Sequence, residues 1–277
     1  MSGRRKEVAR KFRLGRKSEK TAEEYQKDRE MIVQNELGSG DWHSRLQTMD
    51  PKQIERCSME IIREELMAGG TVASESILPA NNINGGSQEN TATNNSLPWK
   101  NKLEEKIVLR VIHATADLEY AQTMAFHPEA ADVIKEAIRS GARIVTDTNM
   151  ARMGINRNKL AQFGGEVLCF MADPAVAEEA SGRGITRAAV SMEHAAALPG
   201  QTIYAIGNAP TALIRLRELI DEGYRPAAII GVPVGFVNVV VSKELIMDTD
   251  VPWIVNRGRK GGSGVAAAIC NAIIYDM

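Results

Sequence analysis

The sequence predicts an α/β fold: a doubly wound, mostly parallel sheet flanked by helices, with a basic, partly helical extension at the N-terminus. Two observations support this fold class. Short apolar runs beyond residue 140 alternate with segments of helical periodicity, which is typical of βαβ units. In addition, the run Ala227–Val232 is apolar without alternation, as expected of a strand that helices cover on both faces.

The individual elements follow from these patterns. Strands are predicted at Ala142–Thr146, Glu166–Met171, Thr202–Ile206, Ala227–Val232 and Pro252–Val255. Helices are predicted over residues 129–140, 174–181, 186–197, 210–222, 239–247 and 263–275. In a sheet of this kind a ligand binds at the carboxyl ends of the strands, so we expect the functional site in the loops that follow them.

Two segments depart from the alternating pattern. Residues 1–50 are the predicted extension, whose first 20 residues carry nine Lys or Arg side chains, and residues 51–277 are the predicted α/β domain. Within that domain, residues 68–97 are rich in Gly, Asn, Ser and Thr and are predicted to be a flexible insertion. A basic arm can bind nucleic acid, but a terminal charge run is more often solvated, and the whole chain carries a net charge of only −1. We therefore expect no nucleic-acid partner.

The cysteines and the hydropathy pattern indicate a soluble, cytoplasmic protein. Cys57, Cys169 and Cys270 lie far apart, which argues against a disulfide framework and against a C-x-x-C metal or redox motif. The longest apolar stretch, Ala227–Val241, is interrupted by glycine and proline and is shorter than the roughly 18 residues of a membrane span. The N-terminus lacks the apolar core of a secretory signal. We expect no association with a membrane.

Four of the predicted strand ends lead into polar or glycine-rich turns. These turns are Thr146–Met150, Gly207–Thr211, Gly231–Gly235 and Asn256–Gly264. Glycine lets the backbone approach a ligand closely, and a following helix N-terminus offers free N–H groups to an anion, so the turns favour an anionic ligand. Asn208, Thr211 and Arg257 are the candidate binding residues. Each turn alone is also compatible with an ordinary loop between a strand and a helix.

The common cofactor motifs are absent or incomplete. Gly262–Ala267 matches the glycine pattern of a dinucleotide-binding turn, but the sequence after it has no second strand with a ribose-binding acid. There is no Walker A pattern, and no two of the four histidines are spaced as a zinc-binding pair. We expect neither a nucleotide cofactor nor a metal ion held by the protein.

One histidine lies close in sequence to an arginine and an aspartate. If residues 103–126 form a single helix, Arg110, His113 and Asp117 lie within about 60° on one face. Asp117 could then set the imidazole tautomer, Arg110 could bind an anionic substituent, and His113 could transfer a proton. A half-buried histidine with solvated charges around it fits the same spacing. The residues alone leave both interpretations open, and no nucleophile motif competes with them.

Five segments, taken in order, resemble one enzyme family. They are Arg110–Asp117 (RVIHATAD), Thr146–Met150 (TDTNM), Ile206–Leu213 (IGNAPTAL), Gly231–Val237 (GVPVGFV) and Arg257–Ser263 (RGRKGGS). Together they are similar to the precorrin-8X methylmutases, also called cobalt-precorrin-8 methylmutases, of vitamin B12 biosynthesis. The resemblance extends over residues 54–274, apart from the insertion.

The resemblance implies an isomerase that moves a methyl group from C11 to C12 of a corrinoid macrocycle. The product would be hydrogenobyrinic acid or its cobalt form, cobyrinic acid. The family further implies a homodimer that binds the tetrapyrrole and needs no cofactor of its own, since the substrate carries any cobalt. By position in the family motifs, His113 is the expected catalytic acid, and Ser58, Arg110 and Arg187 are expected to bind the substrate. Arginine side chains suit a macrocycle fringed with carboxylates.

Two other functions remain open on the sequence. A non-catalytic corrinoid carrier or scaffold protein would use the same binding residues, and the basic arm and the insertion motivate this hypothesis. A nucleotide-dependent enzyme is the third hypothesis. Conversion of the substrate separates a methylmutase from a carrier, and stabilisation by added nucleotides tests the third hypothesis.

Overall fold

The computed structural model describes residues 50–68 and 99–277. The chain divides into two compact units, Met1–Glu55 and Arg56–Met277. Of the first unit, residues 50–55 are described, and they include the first turn of a helix. Apart from Asp50 and Ala68, the predicted extension (1–50) and the predicted insertion (68–97) lie outside the described residues. Both assignments, and the domain boundary predicted at residue 50, stay predictions.

The described residues form eleven helices and six strands. The helices are α1 Pro51–Ala68, α2 Lys102–Thr115, α3 Tyr120–Thr123, α4 Ala130–Arg139, α5 Asn149–Gly154, α6 Arg157–Ala161, α7 Pro174–Arg183, α8 Arg187–Ala196, α9 Pro210–Asp221, α10 Val239–Met247 and α11 Ser263–Tyr275. The strands are β1 Met124–Phe126, β2 Arg143–Thr146, β3 Val167–Leu168, β4 Thr202–Ile206, β5 Ala228–Gly231 and β6 Trp253–Asn256. Among these helices none is long and apolar enough to cross a bilayer.

The six strands form one mixed sheet in the order β1-β6-β5-β4-β2-β3. Strands β2 to β6 are parallel, whereas β1 pairs with β6 in the antiparallel direction, with Met124 opposite Asn256. The carboxyl ends of the five parallel strands therefore lie at one end of the sheet, which we call the carboxyl edge. Because β1 runs the other way, its amino end lies at that same edge.

Two apolar cores cover the two faces of the sheet. Along the central strand β4, Ile203 and Ala205 belong to one core, and Tyr204 and Ile206 belong to the other, as the alternation of side chains along a strand requires. The first core includes residues of α2, α4 and α11, and the second includes residues of α8, α9 and α10. All five residues of β4 are buried, which explains why its sequence shows an apolar run.

The predicted α/β fold is confirmed, and several elements match closely. Strand β4 and helices α10 and α11 have the predicted bounds, and α9 ends one residue earlier than expected. Helices α5 and α6, between β2 and β3, were not expected from the sequence. They are only six and five residues long, so their helical periodicity is too short to be recognised.

The proposed single helix over residues 103–126 is wrong. Helix α2 ends at Thr115 because Ala116 adopts a left-handed conformation (φ 52°), and its N–H donates to Ile112 O at 2.7 Å. The short helix α3 and the edge strand β1 occupy the remainder of the segment. Strand β1 has only three residues, and its hydrogen bonds go to β6, which lies more than a hundred residues away in sequence. A local pattern carries no information on such a pairing.

An ion-paired aspartate ties the C-terminus of α11 to two other helices. Lys106 of α2 donates to the Asp276 carboxylate, and Lys135 of α4 donates to it at 2.8 Å; these bonds lower the pKa of Asp276. Since the carboxylate is favoured in the folded state, the stabilisation is present above about pH 4 and is lost as the pH falls through the folded pKa. We expect Asp276→Asn to lower the free energy of unfolding by about 1 kcal/mol at neutral pH and by less at about pH 3. Urea denaturation at both pH values measures this, and equal losses would contradict the ion-pair explanation.

Candidate active site

Six connections meet at the carboxyl edge of the sheet. Five of them follow β2 to β6, and the sixth is the segment between α2 and β1. Thr123 Oγ1 donates to Asn256 Oδ1 at 2.6 Å, and Arg257 N donates to Thr123 O at 2.8 Å. These bonds hold the start of β1 beside the end of β6. The residues that follow α2 therefore lie next to the loop that follows β6.

His113 lies in the last turn of α2, and its side chain is exposed. Arg110, which is half-buried, lies one turn earlier on the same helix, at the i, i+3 spacing that makes two residues neighbours. Asp117 lies beyond the end of the helix, so it does not share the helical face of His113. Its carboxylate accepts from Glu119 N at 3.1 Å and from Lys260 Nζ at 2.6 Å, and the Lys260 bond is the main cause of its lowered pKa. Asp117 thus joins the turn after His113 to the loop after β6.

We call residues Arg257–Gly262, which connect β6 to α11, the Arg257 loop. The side chains of Arg257 and Arg259 are exposed. The main chain of the loop is held by neighbours: Gly262 N donates to Val232 O at 2.9 Å, and Gly235 N donates to Arg259 O at 3.2 Å. The loop therefore presents two guanidinium groups from a backbone that is hydrogen-bonded to the loop after β5.

A buried lysine of α10 binds the main chain of the Arg257 loop. Lys243 of α10 is 1% exposed, and its Nζ donates to Gly258 O at 2.9 Å and to Lys260 O at 2.8 Å. Burial lowers the pKa of this ammonium group to about 8. Lysine is rarely buried without an acidic partner, because removing its charge from water is costly. The sequence analysis did not single out Lys243; the signal was a lone lysine within an otherwise largely apolar helix.

A buried aspartate supports the turn after β4. Asp147, at the end of β2, is fully buried, and its carboxylate accepts from Gly207 N at 2.9 Å, Asn208 N at 2.7 Å and Ala209 N at 2.6 Å. Burial raises the pKa of Asp147, and the three N–H donors oppose this rise. Asp147 therefore occupies the N–H groups of Gly207, Asn208 and Ala209, which precede the first turn of α9. The N–H groups predicted to bind an anion are those of the helix N-terminus, and that prediction stays a prediction. The position of Asp147 within the Thr146–Met150 turn was the signal that could have identified it.

Three predicted binding residues lie around the ends of β3 and β4. Asn208 is exposed, and Asp147 holds its backbone as described. Thr211, near the start of α9, has its Oγ1 2.9 Å from Oγ1 of Thr186, the N-cap of α8. Arg187 follows that N-cap; its side chain is exposed and its Nη1 donates to Met171 O, after β3, at 3.4 Å. The structure therefore links Asn208, Thr211 and Arg187 through the first turns of α8 and α9.

The remaining predicted residue, Ser58, lies on α1 and is half-buried. Helix α1 is tied to α2 by Arg63 Nε, which donates to Glu105 Oε1 at 3.0 Å.

The predicted residues thus form two groups on the carboxyl edge: Arg110, His113 and Arg257 beside β1 and β6, and Asn208, Thr211 and Arg187 beside β3 and β4. Ser58 comes from α1, whose link to the first group is through α2.

The carboxyl edge also exposes apolar side chains. Val234, Phe236 and Val237, in the loop after β5, are 46%, 84% and 77% exposed. The guanidinium of Arg259 lies 5.5 Å from the centre of the Phe236 ring, which is a cation–π contact. Nowhere in residues 50–68 and 99–277 do three or more His, Cys, Asp or Glu side chains form a group that could hold a metal ion. The edge therefore combines arginines, an imidazole and apolar surface, which suits a large, flat ligand with anionic substituents.

Comparisons with known proteins agree on one family. The family model described as CbiC, precorrin-8X methylmutase, matches residues 87–276. The chain is 40% identical over 227 residues to cobalt-precorrin-8 methylmutase of Priestia megaterium, covering 82% of this chain and 88% of that protein. It is 39% identical over 172 residues to precorrin-8X methylmutase of Pseudomonas aeruginosa, covering 61% and 82% of the two chains.

The solved structures include a similar protein. The crystal structure of precorrin-8X methylmutase from Thermus thermophilus matches with a TM-score of 0.62 and 36% identity, over 80% of this chain and 96% of that chain. The family match covers more than half of the sequence, and the fold agrees with it. This chain therefore belongs to the precorrin-8X methylmutase family, whose members are isomerases of cobalamin biosynthesis.

Proposed function

We propose that this protein moves a methyl group from C11 to C12 of precorrin-8 or cobalt-precorrin-8, and that His113 is the acid. The observation that carries the proposal is the position of His113, an exposed imidazole at the end of α2, where the next turn is bonded to the Arg257 loop. A histidine can donate a proton near neutral pH, which few other side chains do. The carrier hypothesis is not favoured, since the relatives are named as methylmutases.

The proposed reaction requires a proton donor and residues that bind the substrate. The His113 imidazolium protonates the macrocycle, the methyl group migrates to the adjacent carbon, and loss of a proton restores the charge, so the product is an isomer of the substrate. Arg110, Arg187 and Arg257 bind the carboxylates of the substrate, and Ser58, Asn208 and Thr211 donate hydrogen bonds to it. We propose that no cofactor of the protein takes part. Conversion by protein that has been dialysed free of small molecules tests this point.

Substitution of His113 provides the direct test. We expect His113→Ala to lower the turnover rate by about 10²–10⁴-fold, the usual contribution of a positioned acid, while corrinoid binding remains. Purified protein is incubated without oxygen with cobalt-precorrin-8 and, separately, with metal-free precorrin-8. The visible spectrum is followed, since an isomerisation leaves the mass unchanged.

A second histidine provides the matched control. His127 lies at the end of the sheet opposite to the carboxyl edge, where its backbone N–H donates to Trp253 O at 2.9 Å. His127→Ala should therefore convert substrate at the wild-type rate. Undiminished turnover in His113→Ala would overturn the role of His113. Wild-type protein that binds both substrates but converts neither would instead support the carrier.

We further propose that the protein is a cytoplasmic homodimer. The exposed apolar side chains of Val234, Phe236 and Val237 support a protein interface at the carboxyl edge, because soluble monomers rarely expose such clusters. Sedimentation velocity should give the mass of two chains of 30.3 kDa each. A single-chain mass at micromolar concentration would contradict the dimer.

A further inference from the structure

The position of Lys243 is not explained by core packing alone. Its side chain is 1% exposed, and within the described residues no carboxylate forms an ion pair with it. A methionine or leucine would fill the same space without removing an amino group from water. What the amino group contributes is two hydrogen bonds, both to main-chain carbonyls of the Arg257 loop, Gly258 O and Lys260 O.

These two carbonyls lie within the functional part of the loop. Gly258 follows Arg257 directly, and its positive φ of 75° marks a sharp change in chain direction. Lys260 O also accepts from Asn256 Nδ2 at 2.9 Å, so this carbonyl has two buried donors. The side chain of Lys260 extends in the other direction and donates to the carboxylates of Asp117 and Glu119, each at 2.6 Å. A continuous series of contacts therefore runs from Lys243 through the loop backbone to the turn that follows His113.

We propose that Lys243 is a positioning residue: by binding the carbonyls of Gly258 and Lys260, it holds Arg257 in the orientation that binds a substrate carboxylate. This inference rests on the proposed function, because it assigns Arg257 to corrinoid binding. It predicts that the contribution of Lys243 to substrate affinity depends on Arg257. A lysine that only stabilised the fold would affect binding in the same way whether or not Arg257 were present.

The experiment is a double-mutant cycle on corrinoid affinity. The dissociation constant of the corrinoid product, cobyrinic acid, is measured by absorbance titration for wild type, Lys243→Met, Arg257→Ala and the double variant. We expect Lys243→Met to weaken binding about tenfold in the wild-type background and to change it by less than about twofold in the Arg257→Ala background. The KM of each variant should follow its dissociation constant, with a smaller change in kcat.

Two further variants control for loss of stability. Ile246→Val removes a methylene group from a fully buried side chain of the same helix and keeps the Lys243 amino group and its two hydrogen bonds, so it should leave corrinoid affinity unchanged. If Lys243→Met does not fold, Lys243→Gln keeps an N–H donor on a shorter side chain and enters the same cycle. Circular dichroism confirms that each variant is folded at the temperature of the titration.

The outcomes separate this inference from the proposed function. If the wild type neither binds nor converts a corrinoid, the proposed function fails. If the wild type converts substrate and Lys243→Met binds product as tightly as the wild type does, the positioning role is overturned. The role is also overturned if Lys243→Met weakens binding equally with and without Arg257.

Discussion

Gly261→Ala is expected to lower the free energy of unfolding by about 3 kcal/mol or more and to abolish corrinoid binding. A Cβ at this position would lie 2.1 Å from Val232 O and within 3 Å of two further backbone atoms, Val232 C and Pro233 O. Its φ of +155° is also strained for any residue with a side chain. Because the contacts are with backbone, no rotamer change relieves them. The Arg257 loop must therefore separate from the loop after β5, and Arg257 loses its position.

A neighbouring glycine provides the control for Gly261→Ala. Gly264 lies in the first turn of α11 without a positive φ, and a Cβ at this position would meet no atom of another element within 4 Å. Gly264→Ala should therefore be neutral or stabilise the protein by up to about 1 kcal/mol, the difference in helix propensity. Thermal denaturation and product titration measure both variants. A Gly261→Ala protein that melts and binds like the wild type would contradict the close approach of the two loops.

Asp147→Asn is expected to lower the free energy of unfolding by about 3 kcal/mol. The Asp147 carboxylate accepts three backbone N–H bonds, two of them at the same oxygen. An asparagine keeps one acceptor oxygen but places an NH₂ group against at least one of these donors. A buried N–H group then loses its partner, and the turn that carries Asn208 is no longer held against β2. We expect a raised KM together with the loss of stability.

The same substitution at an exposed aspartate is the control for Asp147→Asn. Asp173 is the N-cap of α7 and accepts from Ala175 N at 2.9 Å through one oxygen. Asparagine caps helices as well as aspartate does, so Asp173→Asn should change stability by less than about 0.5 kcal/mol. Urea denaturation compares the two variants. If both variants lose the same free energy of unfolding, the three hydrogen bonds to Asp147 stabilise the protein no more than the single N-cap bond of Asp173 does.

The sequence was informative wherever local pattern decides the structure. The apolar run of β4 and the helical periodicity of α10 and α11 predicted their bounds, because β4 is buried on both faces and the two helices contribute to the cores that cover the sheet. The five motifs identified the family, and the comparisons confirmed it. The roles of His113 and of the predicted binding residues stay predictions. The periodicity argument for His113 was wrong in one respect, since it extended α2 past Thr115.

The features missed in the sequence depend on contacts between distant residues. Asp147 receives its partners from a turn sixty residues away, at the end of a neighbouring strand. Lys243 lies in a helix whose composition resembles that of a core element, and its role depends on which loop covers it. Strand β1 exists because β6 offers it an unpaired edge. None of these partners can be inferred from spacing along the chain.

The amino-acid pattern alone therefore determined the α/β class, most of the helices and strands, and the family. These properties depend on the order of apolar and polar residues and on short motifs, which are local. The tertiary structure decided where α2 ends, which backbone N–H groups of the site are already occupied, and which buried charges hold the Arg257 loop and the turn after β4. The end of α2 depends on the left-handed conformation of Ala116. The other two features depend on charged groups that residues distant in sequence remove from water, because the partners that the fold brings to a buried carboxylate or amine decide its free energy.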